Sequence, residues 1–289
     1  MWSRGQGFFS KTSLKSYTKE DVLCGKVVKI NPALITIIDG MVNKVEIEAL
    51  QRKVLENVIG LLKHGKVRTF HIDINFEDYS GFDSQRPDLN YNVFDPSFLE
   101  RLNQVVQSHK AFLNLHLLTD YPLEHLLDFK STEFGAICFE LDTVRNVRKL
   151  ERLVSEILEL GACPSPVVET VGSASKKPIS PQEVKSLLEP ILSRMGMLTF
   201  QAARTASRSN LPGGSFNGES VKKYMESLRQ EFDGTFQIQG GITKDTVGEA
   251  IKIGAEFLVT GTEIFHNRRG LTSEQAIDEM LQKAAESLS

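Results

Sequence analysis

Short apolar runs alternate with segments of helical period along most of the chain. The runs are rich in Val, Ile, Leu and Phe, and most lack a polar residue at every second position, as expected of parallel strands covered on both faces. They lie at residues 27–37, 69–74, 112–118, 136–141, 166–171, 197–201, 236–239 and 257–260. This pattern predicts eight short parallel strands.

The segments between the runs carry apolar residues at intervals of three and four, which is the spacing of one helix face. In residues 144–160, for example, Leu150, Val154 and Ile157 follow this spacing, and Gly161 ends it. Helices are predicted at residues 45–64, 95–108, 122–129, 144–160, 181–194, 218–232, 243–254 and 273–288. Eight strand and helix units in roughly 260 residues predict a single-domain TIM (β/α)8 barrel, because a doubly wound sheet rarely needs eight.

Composition and charge narrow the class of protein. The chain has 289 residues, of which 40% are hydrophobic and 25% charged, as in ordinary globular proteins. A net charge of −3 gives no electrostatic signature of nucleic-acid binding, and no run approaches the roughly 18 apolar residues that span a bilayer. The three cysteines show no CxxC spacing, which indicates neither a disulfide framework nor a cysteine metal site. A cytoplasmic protein that binds neither nucleic acid nor membrane is therefore expected.

The first 25 residues do not follow the alternation. They are predicted to form an N-terminal extension, residues 1–25, before a barrel at residues 26–289. The extension carries Arg4, Lys11, Lys15 and Lys19 among serines and phenylalanines. This composition is compatible with a mitochondrial-type targeting arm, but it is too mixed for a clean amphipathic helix, and a surface extension is favoured.

Small residues follow the last two predicted strands. Strand seven ends in Gly240 and Gly241, and strand eight ends in Gly261 and Thr262, with a helical segment between them. In such a βαβ unit, backbone N–H groups at the carboxyl ends of the strands can surround a phosphate. These four residues are therefore predicted to bind the phosphate of a small molecule.

Polar side chains lie near the carboxyl ends of strands two and three. His71 and Asp73 share one face of strand two because side chains alternate along a strand, and His116 on strand three can face them. Two imidazoles and a carboxylate are suitable ligands for a divalent metal, and Asp73 could also move a proton next to a carbonyl. A single histidine is more often a core residue bonded to the backbone, but this combination on adjacent strands favours a functional site.

Six short motifs together resemble the ribulose-phosphate 3-epimerase family, from about residue 30 to residue 267. They are Asn31-Pro32-Ala33-Leu34, His71-Ile72-Asp73, Leu115-His116-Leu117, Gly213-Gly214-Ser215-Phe216, Gln239-Gly240-Gly241-Ile242 and Gly261-Thr262-Glu263-Ile264-Phe265. Each motif is weak alone, and the ordered set is more specific for the superfamily than for the activity. The resemblance implies a homo-oligomer that acts on a phosphorylated sugar, with Gly213 and Gly214 added to the substrate-binding residues.

The resemblance also implies a mechanism. In the family, a divalent ion such as zinc, iron or manganese is held by two histidines and two aspartates and polarises the ketose carbonyl. The aspartates act from opposite faces of C3, one removing the proton and the other returning it through a cis-enediolate. In this chain, His71, Asp73 and His116 match three metal ligands, and Asp73 matches one of the two acid/base residues.

The sequence departs from the family pattern at several site positions. Gln239 stands where the family has its second aspartate, and a glutamine cannot ionise, which implies weaker metal binding and half of the acid/base pair. Ala33 lacks the serine hydroxyl of the family, and Glu140 stands where a histidine is common. The loop after strand six carries Arg204 and Arg208, which indicate either a further anionic group on the ligand or solvated side chains.

Two functions are therefore open. The first is an epimerase-like isomerase of a phosphorylated ketose, in which Asp73 works with Glu140 or Glu169. The second is a catalytically impaired barrel that binds a sugar phosphate in a regulatory or structural role. Glu140 could equally pair with Arg204 or Arg208. The retained metal-type ligands favour the enzyme, whereas Gln239 favours the binding protein.

Overall fold

Eight parallel strands form a nearly closed barrel in the computed structural model, which describes residues 29–34, 44–76, 93–172, 177–203, 215–267 and 269–288. The strands are β1 (Lys29–Pro32), β2 (Thr69–Asn75), β3 (Phe112–Leu118), β4 (Ala136–Glu140), β5 (Cys163–Glu169), β6 (Met197–Gln201), β7 (Thr235–Gln239) and β8 (Phe257–Thr260). Seven parallel pairings join them in the order β1-β8-β7-β6-β5-β4-β3-β2. A parallel bridge between Ala33 and His71 brings β1 and β2 together at the ends of the sheet. The predicted TIM barrel is confirmed.

Helices alternate with the strands, as the sequence predicts. Within the described ranges they are α1 (Lys44–His64), α2 (Pro96–Ser108), α3 (Pro122–His125), α4 (Val147–Glu159), α5 (Pro181–Leu188), α6 (Gly218–Leu228), α7 (Val247–Lys252), α8 (Thr262–Phe265) and α9 (Ser273–Ser287). None of these helices is long and apolar enough to cross a bilayer. The predicted extension, residues 1–25, lies outside the described residues.

Side-chain caps determine where several helices begin. Asp95 accepts hydrogen bonds from the N–H groups at the start of α2. Ser180 and Glu183 form a reciprocal capping box at α5, and Thr272 and Gln275 form another at α9. Each cap satisfies backbone donors that a helix leaves free in its first turn, typically contributing about 1 kcal/mol.

Strand β5 begins earlier than the sequence predicts, at Cys163 rather than at residue 166, and includes Pro164 and Pro166. The N–H of Cys163 donates to the carbonyl of Gly135 on the β4 side. Because successive residues of a strand face opposite neighbours, both prolines direct their missing donors towards β6. Accordingly, β5 pairs with β6 only over its last three residues. Prolines are thus tolerated in this buried strand at little cost in ladder hydrogen bonds.

Helix α7 begins later than predicted, at Val247 rather than at residue 243. The N–H of Thr243 donates to the hydroxyl oxygen of Thr246 at 2.9 Å, and that hydroxyl donates to the carbonyl of Gly241 at 2.8 Å. These side-chain bonds shape a turn between the two glycines and the helix. The turn leaves Gly240 and Gly241 at the rim of the barrel.

The interior of the barrel is lined by an unusual number of polar side chains. Gln237 on β7 receives a hydrogen bond from Asn31 on β1 at 3.1 Å and donates to Thr199 on β6 at 3.0 Å. It also approaches the sulfur of Cys138 on β4, which is possible only across the interior. Since side chains alternate along strands, Gln239 also faces the interior, two residues nearer the carboxyl end.

Candidate active site

Strand register brings three of the predicted site residues together. Asp73 on β2 is paired with His116 on β3, and His71 lies two residues before Asp73 on the same face. The Oδ1 atom of Asp73 lies 3.1 Å from Nε2 of His71 and 2.8 Å from Nδ1 of His116. The possible ligand atoms of the three residues all lie within 4.8 Å of one another.

The cluster holds a partly buried, ionised carboxylate. Burial alone would raise the pKa of Asp73, but the charge of His71 and the hydrogen bonds from both imidazoles outweigh it and hold this pKa well below its ordinary range. Burial likewise favours the neutral imidazole of His116, but its hydrogen bonds to Asp73 and Glu140 raise its pKa to about 9. In the metal-free protein, Asp73 is therefore ionised and His116 protonated at neutral pH.

Glu140 extends the cluster at the carboxyl end of β4. Its Oε1 atom lies 3.0 Å from Nε2 of His116, and the residue is 7% exposed. The imidazole of His116 therefore lies between two carboxylates, with Asp73 at one ring nitrogen and Glu140 at the other. The alternative partners of Glu140, Arg204 and Arg208, lie outside the described residues.

The donor set of the cluster fits a divalent metal ion. His71, Asp73 and His116 could hold the ion through two imidazole nitrogens and one carboxylate, which suit zinc, iron and manganese. The bond to Glu140 occupies Nε2 of His116 and leaves Nδ1 to act as a ligand. A ligating histidine usually donates its other N–H to such an acceptor, and this arrangement fixes the ring orientation.

Gln239 and Gln201 are polar residues at the carboxyl ends of β7 and β6, across the barrel from β2 and β3. Gln239 ends β7 and is 7% exposed, and its Oε1 atom has no hydrogen-bond partner among the described residues. It is therefore a buried neutral acceptor at the carboxyl end of β7. Gln201 is paired with Gln239 in the sheet and donates to the carbonyl of Ala203 at 2.8 Å. Gln201 is not among the site residues predicted from the sequence, although a polar residue at the carboxyl end of β6 is a signal for a site residue.

The two glycines after β7 have a conformation and an environment that a larger residue would disturb. Gly240 and Gly241 have φ angles of 87° and 72°. A Cβ at Gly240 would lie 2.6 Å from Nε2 of Gln201 and 3.0 Å from the backbone nitrogen of Ala203. Only glycine adopts such positive φ angles without strain, and only glycine lets Gln201 and Ala203 come this close to the backbone at Gly240.

The phosphate-binding prediction concerns six residues, of which the structure describes four. The backbone N–H groups of Gly240, Gly241, Gly261 and Thr262 donate to no protein group in the described part of the chain. They are thus available to a ligand. The other two residues, Gly213 and Gly214, lie outside the described residues.

A groove of about 580 Å³ lies between α3 and α4, beside the segments that follow β3 and β4. Tyr121, Arg148, Lys149 and Arg152 are among its lining residues. None of the predicted site residues lines it. The groove is therefore separate from the cluster at the end of the barrel.

Solved structures support the architecture alone. Thiamine phosphate pyrophosphorylase from Pyrococcus furiosus matches with a TM-score of 0.52 and 13% identity, over 92% of this chain and all of that one. Tryptophan synthase from M. tuberculosis matches with a TM-score of 0.58 and 8% identity, over 96% of this chain and 99% of that one. At such identities the likeness shows the fold only.

Curated relatives point to one family. A ribulose-phosphate 3-epimerase from Candida glabrata is 26% identical over 167 residues, which cover 57% of this chain and 60% of that protein. A ribulose-phosphate 3-epimerase from Schizosaccharomyces pombe is 25% identical over 189 residues, covering 62% of this chain and 75% of that protein. The model of the ribulose-phosphate 3 epimerase family matches residues 44–265. This range contains the metal-ligand cluster and the four described residues of the predicted phosphate site, Gly240, Gly241, Gly261 and Thr262, here called the glycine rim. The chain therefore belongs to the ribulose-phosphate 3-epimerase family.

Proposed function

We propose that this protein epimerises a phosphorylated ketose by moving a proton on the carbon next to the carbonyl. The observation that best supports this proposal is the ionised carboxylate of Asp73, which is held between His71 and His116 at the carboxyl end of the barrel. Family membership supports an epimerase-like function. Ribulose 5-phosphate is the first substrate to test, and the family resemblance further implies a homo-oligomer.

Asp73 is positioned to act as the base. Both imidazoles contact Oδ1, whereas no hydrogen bond among the described residues reaches Oδ2. The side chain is 33% exposed, so Oδ2 can meet a substrate. A carboxylate with a lowered pKa is a weak base, and it removes a carbon-bound proton only if the resulting oxyanion is stabilised. A divalent ion, when bound, would supply this stabilisation and polarise the carbonyl.

Epimerisation also requires a second group that returns a proton to the carbon, and we assign this role to Glu140, whose Oε2 would have to carry that proton. Gln239 cannot supply the proton because an amide does not ionise. The Oε1 atom of Glu140 is bonded to His116, but Oε2 has no partner among the described residues. Glu169, the other carboxylate considered, lies on β5, three strands away from Asp73. Glu140 is thus the carboxylate that hydrogen bonds connect to Asp73, through the imidazole of His116.

The phosphate of the substrate is assigned to the glycine rim. Four free backbone donors, at Gly240, Gly241, Gly261 and Thr262, support this assignment. Backbone donors suit a phosphate because they are fixed in place before the ligand binds. Gly213 and Gly214, in the loop after β6, are proposed to add contacts.

Deuterium exchange tests whether one or two proton-transfer groups act. Ribulose 5-phosphate is incubated with the metal-loaded protein in deuterated water and followed by NMR. Two opposed groups give the C3 epimer with deuterium at C3, whereas a single base exchanges the C3 hydrogen without forming the epimer. Glu140→Gln should convert the first outcome into the second, and Glu169→Gln is the matched control.

A second function, binding of a sugar phosphate without turnover, is favoured by one observation. Gln239 replaces the ionisable residue that the family uses at this position. In that case, calorimetry would detect binding of ribulose 5-phosphate, and neither exchange nor epimer would form. The same assays are applied to Gln239→Asp. If this variant also binds ribulose 5-phosphate without exchange or epimer formation, the proposal that the protein is an enzyme is wrong.

A further inference from the structure

His71 has a buried ring nitrogen without a partner. Its Nε2 atom contacts Asp73, but Nδ1 makes no hydrogen bond within the described part of the chain, although the residue is 0% exposed. When Nε2 binds an ion, the neutral ring carries its proton on Nδ1, and this N–H needs an acceptor. A buried donor left unpaired is destabilising.

The strand register limits the residues that can supply the acceptor. Inside the barrel, His71 is flanked by Ala33, which directly follows β1, and by Asn114 on β3. Ala33 has no polar atom in its side chain. Asn114 is 0% exposed, and both its Oδ1 and its Nδ2 lack partners among the described residues. Two unsatisfied side chains therefore lie side by side.

Two further unsatisfied atoms lie one layer deeper. They are the hydroxyl oxygen of Thr69, two residues before His71, and the Oδ1 atom of Asn31 on β1. Adjacent strands are about 4.8 Å apart, and residues two apart along a strand are separated by about 6.6 Å. Five buried polar atoms on three neighbouring strands thus converge beneath the cluster. Buried water typically makes about three hydrogen bonds at such sites.

We propose that ordered water occupies this part of the barrel interior and links Asn114 to Nδ1 of His71. Asn114 is thereby a positioning residue: it holds the ring of His71 so that Nε2 points at the metal position. This inference rests on the proposed metal site but not on the proposed substrate or on turnover. It assigns a role to a side chain that does not itself contact the ion.

The test measures zinc affinity by competition with a chromophoric chelator. Asn114→Leu removes the polar atoms at nearly constant size, and the expected effect is about 10- to 100-fold weaker zinc binding. Asn114→Asp keeps an acceptor and should retain the wild-type affinity. The matched control is Asn103→Leu, because Asn103 is also buried with an unpartnered Oδ1 but lies on α2.

Several outcomes would overturn the inference. Wild-type zinc affinity in folded Asn114→Leu, or an equal loss in Asn103→Leu, would remove the positioning role, as would a wild type that binds no zinc. If Asn114→Leu does not fold, a crystal structure of the zinc-loaded wild type decides. A water molecule within hydrogen-bond distance of both Asn114 and Nδ1 of His71 supports the proposal, and its absence from well-defined density contradicts it. Failure of turnover with normal zinc binding would contradict only the proposed activity.

Discussion

Glu140 lies against His116, with Oε1 of the carboxylate 3.0 Å from Nε2 of the imidazole. Asp73 occupies the other nitrogen of the same ring at 2.8 Å. The ring therefore has no freedom to rotate without losing both bonds. This relationship holds two carboxylates, Asp73 and Glu140, close to one imidazole.

The first prediction concerns the stability of the metal-free protein between pH 6.5 and 9. The pKa of His116 is raised from 6.5 to about 9, so its stabilising contribution is fully present below pH 6.5 and lost as the pH rises through 9. The free energy of unfolding, measured by urea denaturation, should fall across this window. Glu140→Gln should make the fall smaller, because it removes one of the two carboxylates. A free energy that is constant across the window in the wild type would contradict the charged imidazole.

The second prediction concerns metal content. Two imidazoles and one carboxylate, without a second anionic ligand, should give partial metal occupancy after purification without chelators, measured by elemental analysis. His116→Ala should abolish the bound metal, since it removes one ligand and the contact to Glu140. Gln239→Asp should increase the occupancy, because it adds a charged ligand. Stoichiometric metal that persists in His116→Ala would show that the site lies elsewhere.

The third prediction separates backbone conformation from phosphate binding. Gly240→Ala and Gly161→Ala both place a side chain at positive φ, at 87° and 78° respectively. Each should lower the free energy of unfolding by about 1–2 kcal/mol. Only Gly240→Ala should also weaken ribulose 5-phosphate binding in calorimetry, because only its Cβ meets neighbouring atoms, whereas nothing lies within 4 Å at Gly161. Equal ligand affinity in the two variants would argue against the glycine rim as the phosphate site.

The fourth prediction concerns the rate of epimerisation. Gln239 cannot act as an acid or base, and Glu140 replaces it with a carboxylate already bonded to His116, so part of an assistance commonly worth about 10²- to 10⁴-fold should be lost. Turnover of ribulose 5-phosphate should therefore be slow in the wild type, faster in Gln239→Asp and lost in Asp73→Asn. The measurement is a coupled assay of epimer formation at saturating metal. A wild-type rate on the order of 10 s⁻¹ or more would instead mean that Glu140 fully replaces the missing aspartate.

Local pattern was sufficient for most of the fold. The alternation of apolar runs and helical segments predicted all eight strands, because burial on both faces imposes an apolar run irrespective of which strands pair. It misplaced the start of β5, since prolines argue against a buried strand unless both face the same neighbour. It also missed α8 (Thr262–Phe265), which is too short to show a helical period.

The sequence by itself determined that His71 and Asp73 share one face of their strand, because the alternation of side chains along a strand is a local property. That His116 faces them depended on the register between β2 and β3. The sequence left the partner of Glu140 open between Asp73 and the arginines of the loop after strand six, Arg204 and Arg208. Only the tertiary structure placed Glu140 on His116, and only the register between β2 and β3 revealed the unsatisfied pair of His71 and Asn114. The physical reason is that register between strands is set by packing of the whole barrel, which no short stretch of sequence encodes.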